Sequence, residues 1–257
     1  MKLTHINLVI VVLYLLPLHT FTQALPPIQL DRPDQTECPF ITPKKYIQVE
    51  NGLTFENFAN GNKATSTPTS LWKYGINEKV ELRLITEYAS IKQNNRNTIS
   101  GLAPITIGFK TSLLEEDGIV PKTSFIGHIT TAKWGSKNLT TNYIAPSFRF
   151  VMQHTISPKV CLAYNLGAEW NGQTAMQTYI YTLTTGITLT EKLGCYAELY
   201  GFVKPTLVGD HRCDGGFTYL LTNDIIADIS AGVGTYNSEL KNYIALGLSY
   251  RFKVAKK

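Results

Sequence analysis

The stretch that decides the fold is Tyr243 to Phe252, which reads YIALGLSYRF. Its even positions are apolar and end in two aromatic rings, Tyr250 and Phe252, while its odd positions are small, polar or charged. Because successive strand side chains point to opposite faces, the strand has one apolar and one polar face. A soluble β-sandwich and the closing strand of an outer-membrane β-barrel both show this pattern.

The same alternation continues through most of the chain after Tyr46. Residues 80–84 (VELRL) and 105–110 (ITIGFK) are clear examples. We count about twelve such runs and few stretches with helical spacing. Most runs are close to the ~9–11 residues that a tilted membrane-spanning strand needs. The sequence therefore predicts an all-β chain.

The lengths of the links between runs favour a barrel over a Greek-key sandwich, because short and long links alternate along the chain. An up-and-down membrane barrel has short periplasmic turns and longer outer loops. Two links depart from the rule, since Leu114–Pro121 is middling where a short link is expected and Asn171–Thr174 is brief where a long one is expected. The predicted short links are Gly75–Glu78, Thr155–Pro158, Thr190–Lys192 and Thr222–Asn223, and the predicted long links are Asn57–Pro68, Ile91–Ser100, Ala132–Thr141, Val203–Cys213 and Gly234–Leu240.

Charged residues within the runs fall on the polar faces. A charge that faces lipid at the bilayer midplane costs roughly 2–4 kcal/mol, so a barrel must sort its charges in this way. Both signs are present, which predicts a mixed lumen rather than a ring of one sign. The predicted lumen-lining residues are Glu50, Lys73, Glu81, Arg83, Lys110, Arg149, Glu169, Glu198, Asp228 and Arg251.

The N-terminus has the layout of a secretory signal peptide. Met1-Lys2 precedes an apolar run from Leu8 to Leu16, and small residues end at Ala24. The run is too short to span a membrane as a helix, although an N-terminal anchor is the alternative. We therefore expect cleavage after Ala24 and divide the chain into a signal peptide (1–24), a Pro-rich leader (25–45), a barrel (46–252) and a basic tail (253–257).

The leader has two interpretations. Its prolines lack the donor that a strand ladder needs, so it is neither a central strand nor a helix. It could dock beneath the barrel on the periplasmic side. Alternatively it is a plug whose Asp31, Arg32 and Asp34 enter the lumen and pair with its charges.

Several blocks of the chain resemble a known bacterial family, the MetA-pathway phenol degradation family of outer-membrane transporters. The blocks are residues 30–37 (LDRPDQTE), 48–52 (QVENG), 72–76 (WKYGI), 80–83 (VELR), 104–110 (PITIGFK), 164–167 (YNLG), 198–201 (ELYG), 214–219 (DGGFTY) and 247–252 (GLSYRF). The resemblance implies a barrel in the bacterial outer membrane. Departures from the family are Lys73 in place of Arg, Cys38 in place of Ser, and a tail that runs past Phe252.

The chemistry of the mature chain does not indicate an enzyme. No Gly-x-Ser-x-Gly motif is present, and His128 and His154 are followed by Thr rather than by a Ser nucleophile. The segment Asp210–Asp214, placed in an outer loop, contains three types of metal ligand but matches no standard spacing. We therefore predict no catalytic residues, no metal and no cofactor. The four cysteines permit disulfides in an exported protein without requiring them.

The net charge of +5 is spread along the chain, which argues against a nucleic-acid partner. The expected partners are outer-membrane lipid, a small solute, and the barrel-assembly machinery through Gly247-x-x-Tyr250-x-Phe252. The sequence thus predicts an antiparallel up-and-down barrel of about twelve strands that passes a small solute, hydrophobic or aromatic if it follows the name of the family. The alternatives are a closed structural or adhesion barrel, which balanced lumen charges would favour, and an outer-membrane hydrolase.

Overall fold

The computed structural model describes residues 25–94, 97–235 and 237–254. The predicted signal peptide and residues 255–257 of the predicted tail lie outside the described part. Thirteen strands and one short 3₁₀ helix, Lys137–Leu139, make up its regular structure. The strands are β1 (Tyr46–Phe58), β2 (Lys63–Gly75), β3 (Val80–Lys92), β4 (Thr98–Leu102), β5 (Thr106–Leu114), β6 (Lys122–Thr130), β7 (Ala145–Ser157), β8 (Val160–Trp170), β9 (Gln177–Thr188), β10 (Leu193–Val203), β11 (Asp210–Thr222), β12 (Ile225–Gly234) and β13 (Leu240–Lys253).

These strands form one closed antiparallel barrel with twelve positions in its wall. Strands β4 and β5 share a single position, because both pair with β3 and only residues 103–105 separate them. Every other neighbour in the wall is consecutive in sequence, apart from the seam where β1 meets β13. The predicted twelve-stranded barrel is confirmed.

The seam joins the two strands that the sequence predicted to meet. Ile47 lies opposite Phe252 and Phe55 lies opposite Ile244, so the pairing continues almost from end to end. Closure pairs β1 and β13 with each other, so the wall has no open seam, as a structure in hydrocarbon requires. In the described part of the chain, the short strand β4 pairs with β3 alone.

The barrel is polar inside and apolar outside. Its largest fully buried side chains include Lys73, Lys110 and Glu81, whereas Leu246 and Leu248 on the outer face are 44% and 48% exposed. A soluble protein has the opposite arrangement, because apolar surface is unfavourable in water. The outer face therefore requires a lipid environment. Within the described residues, no helix is long and apolar enough to cross a membrane.

Some predicted links differ from the structure. The long link predicted at Asn57–Pro68 is wrong, since β1 continues to Phe58 and β2 begins at Lys63. Pro68 is accommodated inside β2, where the register with β3 shifts between Ser66 and Thr69. The outer loop predicted at Val203–Cys213 is also too long, because β11 begins at Asp210. The longest outer link is residues 131–144, and two periplasmic turns are as short as residues 158–159 and 223–224.

Candidate functional site

The Pro-rich leader lies inside the barrel. It starts at the periplasmic rim, where Arg251 Nη2 donates to the Pro26 carbonyl at 2.9 Å and Ile28 N donates to the Asn223 carbonyl at 2.9 Å. It then passes into the lumen and returns to the same rim before β1. At its return, the carbonyls of Thr42 and Pro43 lie so close to Gly75 that a side chain there would clash with them. Lys45, just before β1, has a φ of 65°.

Asp31 anchors the leader to one side of the lumen. Its carboxylate contacts Lys73 Nζ at 3.0 Å, Arg83 Nη1 at 2.9 Å and Lys110 Nζ at 2.7 Å, which come from β2, β3 and β5. Burial by itself would raise the pKa of Asp31, but these three cations hold it well below its usual range. Asp31 is therefore an ionised carboxylate in an almost fully buried site.

The cations around Asp31 belong to a larger network. Lys73 also pairs with Glu50, and Arg83 pairs with Glu81 at 3.1 Å and with Glu37 of the leader at 2.6 Å. Removing one partner from a buried ion pair typically costs about 3–5 kcal/mol, because the other charge is left uncompensated. This side of the lumen and the leader thus stabilise each other.

The next leader residue binds the opposite side of the seam. Arg32 Nη2 lies 3.2 Å from Asp228 Oδ1 of β12. Further along, Gln35 N donates to Glu198 Oε2 at 2.7 Å, and the Thr36 hydroxyl contacts Thr182 Oγ1 at 2.6 Å. The leader therefore bridges the lumen instead of lying along one strand.

Backbone contacts hold the part of the leader that follows. Glu37 N donates to Asn165 Oδ1 at 2.8 Å, and Asn165 Nδ2 donates back to the Glu37 carbonyl at 3.1 Å. Ser124 Oγ donates to the Pro39 carbonyl at 2.6 Å, and Thr42 N donates to Glu81 Oε2 at 2.7 Å. These contacts supply the partners that a buried loop without its own secondary structure needs.

Asp34 does not follow this matching of leader groups with partners of the wall. Burial raises the pKa of Asp34 well above its usual range, and the negative charges of Glu198 and Asp214 raise it further. Asp31 and Asp34 are thus residues of one type, three positions apart, in opposite electrostatic environments.

The leader separates two cavities. The outer cavity has a volume of about 320 Å³ and includes Tyr200, Arg212 and Arg149 in its walls. The periplasmic cavity has a volume of about 380 Å³ and extends along β7 to β11. The residues that line both are Arg32, Pro33, Asp34 and Glu37. The leader between residues 32 and 37 therefore forms the partition between the outer and periplasmic halves of the lumen.

The predicted lumen residues lie at three levels. The side chains at the centre contact the leader or its partners, and Glu169 lines a small cavity at the outer mouth. Arg251 lies at the periplasmic rim and pairs with Asp224 at 2.7 Å. The buried members are Glu50, Lys73, Glu81, Arg83, Lys110, Glu198, Asp228 and Arg251, while Arg149 and Glu169 are half-buried.

Sequence reasoning missed several lumen residues that surround the leader. Asn165 and Thr182 are buried at lumen-facing positions, but their side chains are neutral and carry no charge pattern that marks them in the sequence. Asp214 was missed because it was placed at the end of a loop, whereas β11 already includes it. The alternation of Asp214 with its neighbours was the signal that could have found it.

In the part of the chain that the structure describes, no histidine is paired with a Ser or Cys nucleophile. His128 Nε2 accepts a hydrogen bond from Arg83 Nε at 3.1 Å, so its free lone pair is already used. His154 and His211 contact the hydroxyls of Tyr164 and Tyr181. Because Asp210–Asp214 is part of a strand and not a loop, its side chains alternate between faces and cannot converge on one ion. All four cysteines are free thiols.

Fold and site together define a class: an outer-membrane-type β-barrel whose lumen contains its own N-terminal segment. A family model, "Putative MetA-pathway of phenol degradation", matches residues 30–252. The chain belongs to this family, as the resemblance implied. The family and the barrel fold place it among outer-membrane proteins.

Solved structures share the fold at low sequence identity. The COG4313 outer membrane channel from Pseudomonas putida F1 has a TM-score of 0.63 and 11% identity, over 87% of this chain and 100% of that one. The KdgM porin has a TM-score of 0.54 and 9% identity, over 80% and 99%. The NanC porin has a TM-score of 0.54 and 10% identity, over 79% and 98%. No curated protein sequence matches the chain significantly.

By their names, these three structures are one channel and two porins. The absence of catalytic activity in this chain stays a prediction.

Proposed function

We propose that this protein is an outer-membrane channel for a small solute and that the leader is its gate. The observation that carries the proposal is the partition of the lumen, in which residues 32–37 of the leader separate the outer cavity from the periplasmic cavity. Displacement of this one segment would join the two cavities. The names of the family and of the channels that share the fold support the same class of function.

The contacts of the leader favour a gate over a permanent wall. The leader has no strand or helix within residues 25–43 and is held mainly by side chains of the wall. A segment of this kind can leave as a unit without breaking the ladder of the barrel. The small cavities on either side fit a solute of a few ring atoms, and the family name suggests aromatic compounds.

The decisive experiment deletes residues 25–36 and measures conductance of the purified, folded protein in planar bilayers. We expect a large increase in conductance over the full mature chain, because both the Asp31 and Arg32 contacts are lost. Heat-modifiable migration on gels checks that the deletion variant is folded. Unchanged conductance in folded protein would show that the leader is not the gate.

Liposome swelling tests permeation of uncharged solutes of increasing size. The deletion variant should admit small sugars faster than the full chain, with a cut-off set by the barrel diameter. The second candidate function, a closed structural or adhesion barrel, is favoured by the dense pairing of lumen charges with the leader. It predicts no solute flux from either protein.

Export and assembly complete the proposal. A signal peptide cleaved after Ala24 would free the leader's N-terminus at the periplasmic rim, next to Arg251. N-terminal sequencing of the membrane-inserted protein should begin at Leu25. Gly247-x-x-Tyr250-x-Phe252 would be read by the assembly machinery, and Phe252→Ser should reduce the amount of inserted barrel in cells, while Phe217→Ser on another lipid-facing strand should reduce it less.

A further inference from the structure

The seam between β1 and β13 contains a gap in its inner lining. Gly52 and Gly247 are directly opposite each other across this seam. Both belong to the lumen-facing series, in which their neighbours Glu50 and Ser249 are buried side chains. Two facing glycines therefore leave a notch without side chains in the wall.

The Arg32–Asp228 pair fills this notch. A methyl group added at Gly52 would overlap with the Arg32 guanidinium, and one added at Gly247 would overlap with the Asp228 carboxylate. The notch therefore lets the leader's arginine approach the backbone of the wall, where Nη2 also lies 3.4 Å from the Leu246 carbonyl. Beside Gly52 the register between β1 and β2 shifts, which locally bends the wall at the same place.

Arg32 and Asp228 have few polar partners other than each other at the notch. The Asp228 side chain is fully buried, and within the described residues Arg32 is the cation that pairs with it. Only one oxygen of Asp228 and one nitrogen of Arg32 make the contact, while Asp228 Oδ2 and Arg32 Nε have no hydrogen-bond partner in the described part of the chain. The pair thus holds the leader by a single salt bridge in a tight space, unlike Asp31 with its three cations.

We propose that Gly52 and Gly247 form a latch seat for Arg32, and that withdrawal of this guanidinium from the seat is the step that opens the gate. The inference rests on the proposed gating function and adds the residues that control it. Release of Arg32 from Asp228 would detach the leader from β12. The ion pairs of Asp31 would still hold the leader to β2, β3 and β5. The glycines are then functional because they have no side chain.

The test compares open probabilities in planar bilayers for folded, purified proteins. Gly52→Ala removes no charge and no hydrogen-bonding side chain, yet it should raise the open probability about tenfold by excluding Arg32, a change of the size expected for one lost charged contact. Gly194→Ala is the matched control, because its added methyl would meet Thr218 Oγ1 at 2.8 Å and no atom of the leader. It should behave like the parent protein.

A second variant controls for the case in which Gly52→Ala opens the channel by distorting the barrel wall. Arg32→Met leaves the barrel sequence unchanged and should raise the open probability to the same extent as Gly52→Ala. The double variant should open no further than either single variant, since both remove the same contact. Additive effects would mean that Gly52→Ala acts through the wall and would overturn the latch.

The leader deletion separates this inference from the proposed function. If deletion of residues 25–36 opens the channel but Gly52→Ala and Arg32→Met do not, the gate stands and the latch is wrong. If the deletion does not open it either, the gating function itself fails. If both single variants and the deletion open it while Gly194→Ala does not, the latch is supported.

Discussion

At the scale of single residues, Asp31 and Asp34 show how environment assigns different roles to identical side chains. Asp31 is surrounded by Lys73, Arg83 and Lys110, whereas Asp34 faces Glu198 and Asp214. The sequence named both as candidate plug residues but contained no signal to tell them apart. Only the folded barrel brings one of them to cations and the other to carboxylates.

Asp31→Asn should release the leader. It leaves three buried cations with fewer partners, and losses of about 3–5 kcal/mol for a broken buried pair correspond to about a hundredfold or more in the docking equilibrium. Bilayer recording should show an open probability above that of the parent protein and below that of the leader deletion, because Arg32 still pairs with Asp228. A conductance unchanged from the parent would mean that Asp31 does not hold the leader.

Asp34→Asn should have the opposite effect. It removes a carboxyl group whose ionisation is opposed by burial and by the charges of Glu198 and Asp214, so the leader should dock more tightly and the open probability should fall. Because the change of residue type is the same as in Asp31→Asn, each variant is the control for the other. Increased opening in both variants would indicate general damage to the leader.

Asp34 should also make gating depend on pH. Its pKa is raised in the docked leader, so protonation favours docking. The stabilisation of docking by the Asp34 proton is complete when the pH is below the ordinary pKa of 3.8. It is lost as the pH rises through the raised pKa of the docked leader. The open probability should therefore increase with pH above about 4, and Asp34→Asn should flatten this increase. A decrease with rising pH would contradict the assignment.

At the scale of elements, the leader is fixed by strands that are far from it in sequence. Thr36 contacts Thr182 of β9 at 2.6 Å, although the two residues are 146 positions apart. The strand pattern of the sequence could be predicted from alternation, but the contacts of a segment without periodicity could not. The errors at Asn57–Pro68 and Asp210–Asp214 have the same origin, because pairing with a neighbouring strand extends β2 and β11 beyond their local signals.

A disulfide between the leader and β9 tests the gate at this scale. Thr36→Cys and Thr182→Cys, in a chain whose four native cysteines are replaced by serine, place two thiols where two hydroxyls now touch. Oxidation should lock the leader and abolish channel openings, and reduction should restore them. Each single cysteine variant is the control and should not respond to oxidant.

At the scale of the whole molecule, the sorting of residues between lipid and lumen sets stability. Leu246 lies near the middle of β13 and Phe252 near its periplasmic end, and both point outwards. Leu246→Arg should lower the free energy of unfolding in lipid vesicles by roughly 2–4 kcal/mol, and Phe252→Arg by about 1 kcal/mol or less. Chemical denaturation measured by tryptophan fluorescence gives both values. Equal costs at the two depths would contradict the assigned outer face.

The sequence by itself determined most of the strands, their inner and outer faces and the closing partner of Tyr243–Phe252, because an alternating pattern of period two fixes which face meets lipid. The tertiary structure alone decided that the leader lies inside, that Asp31 and Arg32 bind opposite sides of the lumen, and that Gly52 faces Gly247. The physical reason is that ion pairs such as Arg32–Asp228 join residues 196 positions apart. Such contacts exist only after the barrel has closed around the leader.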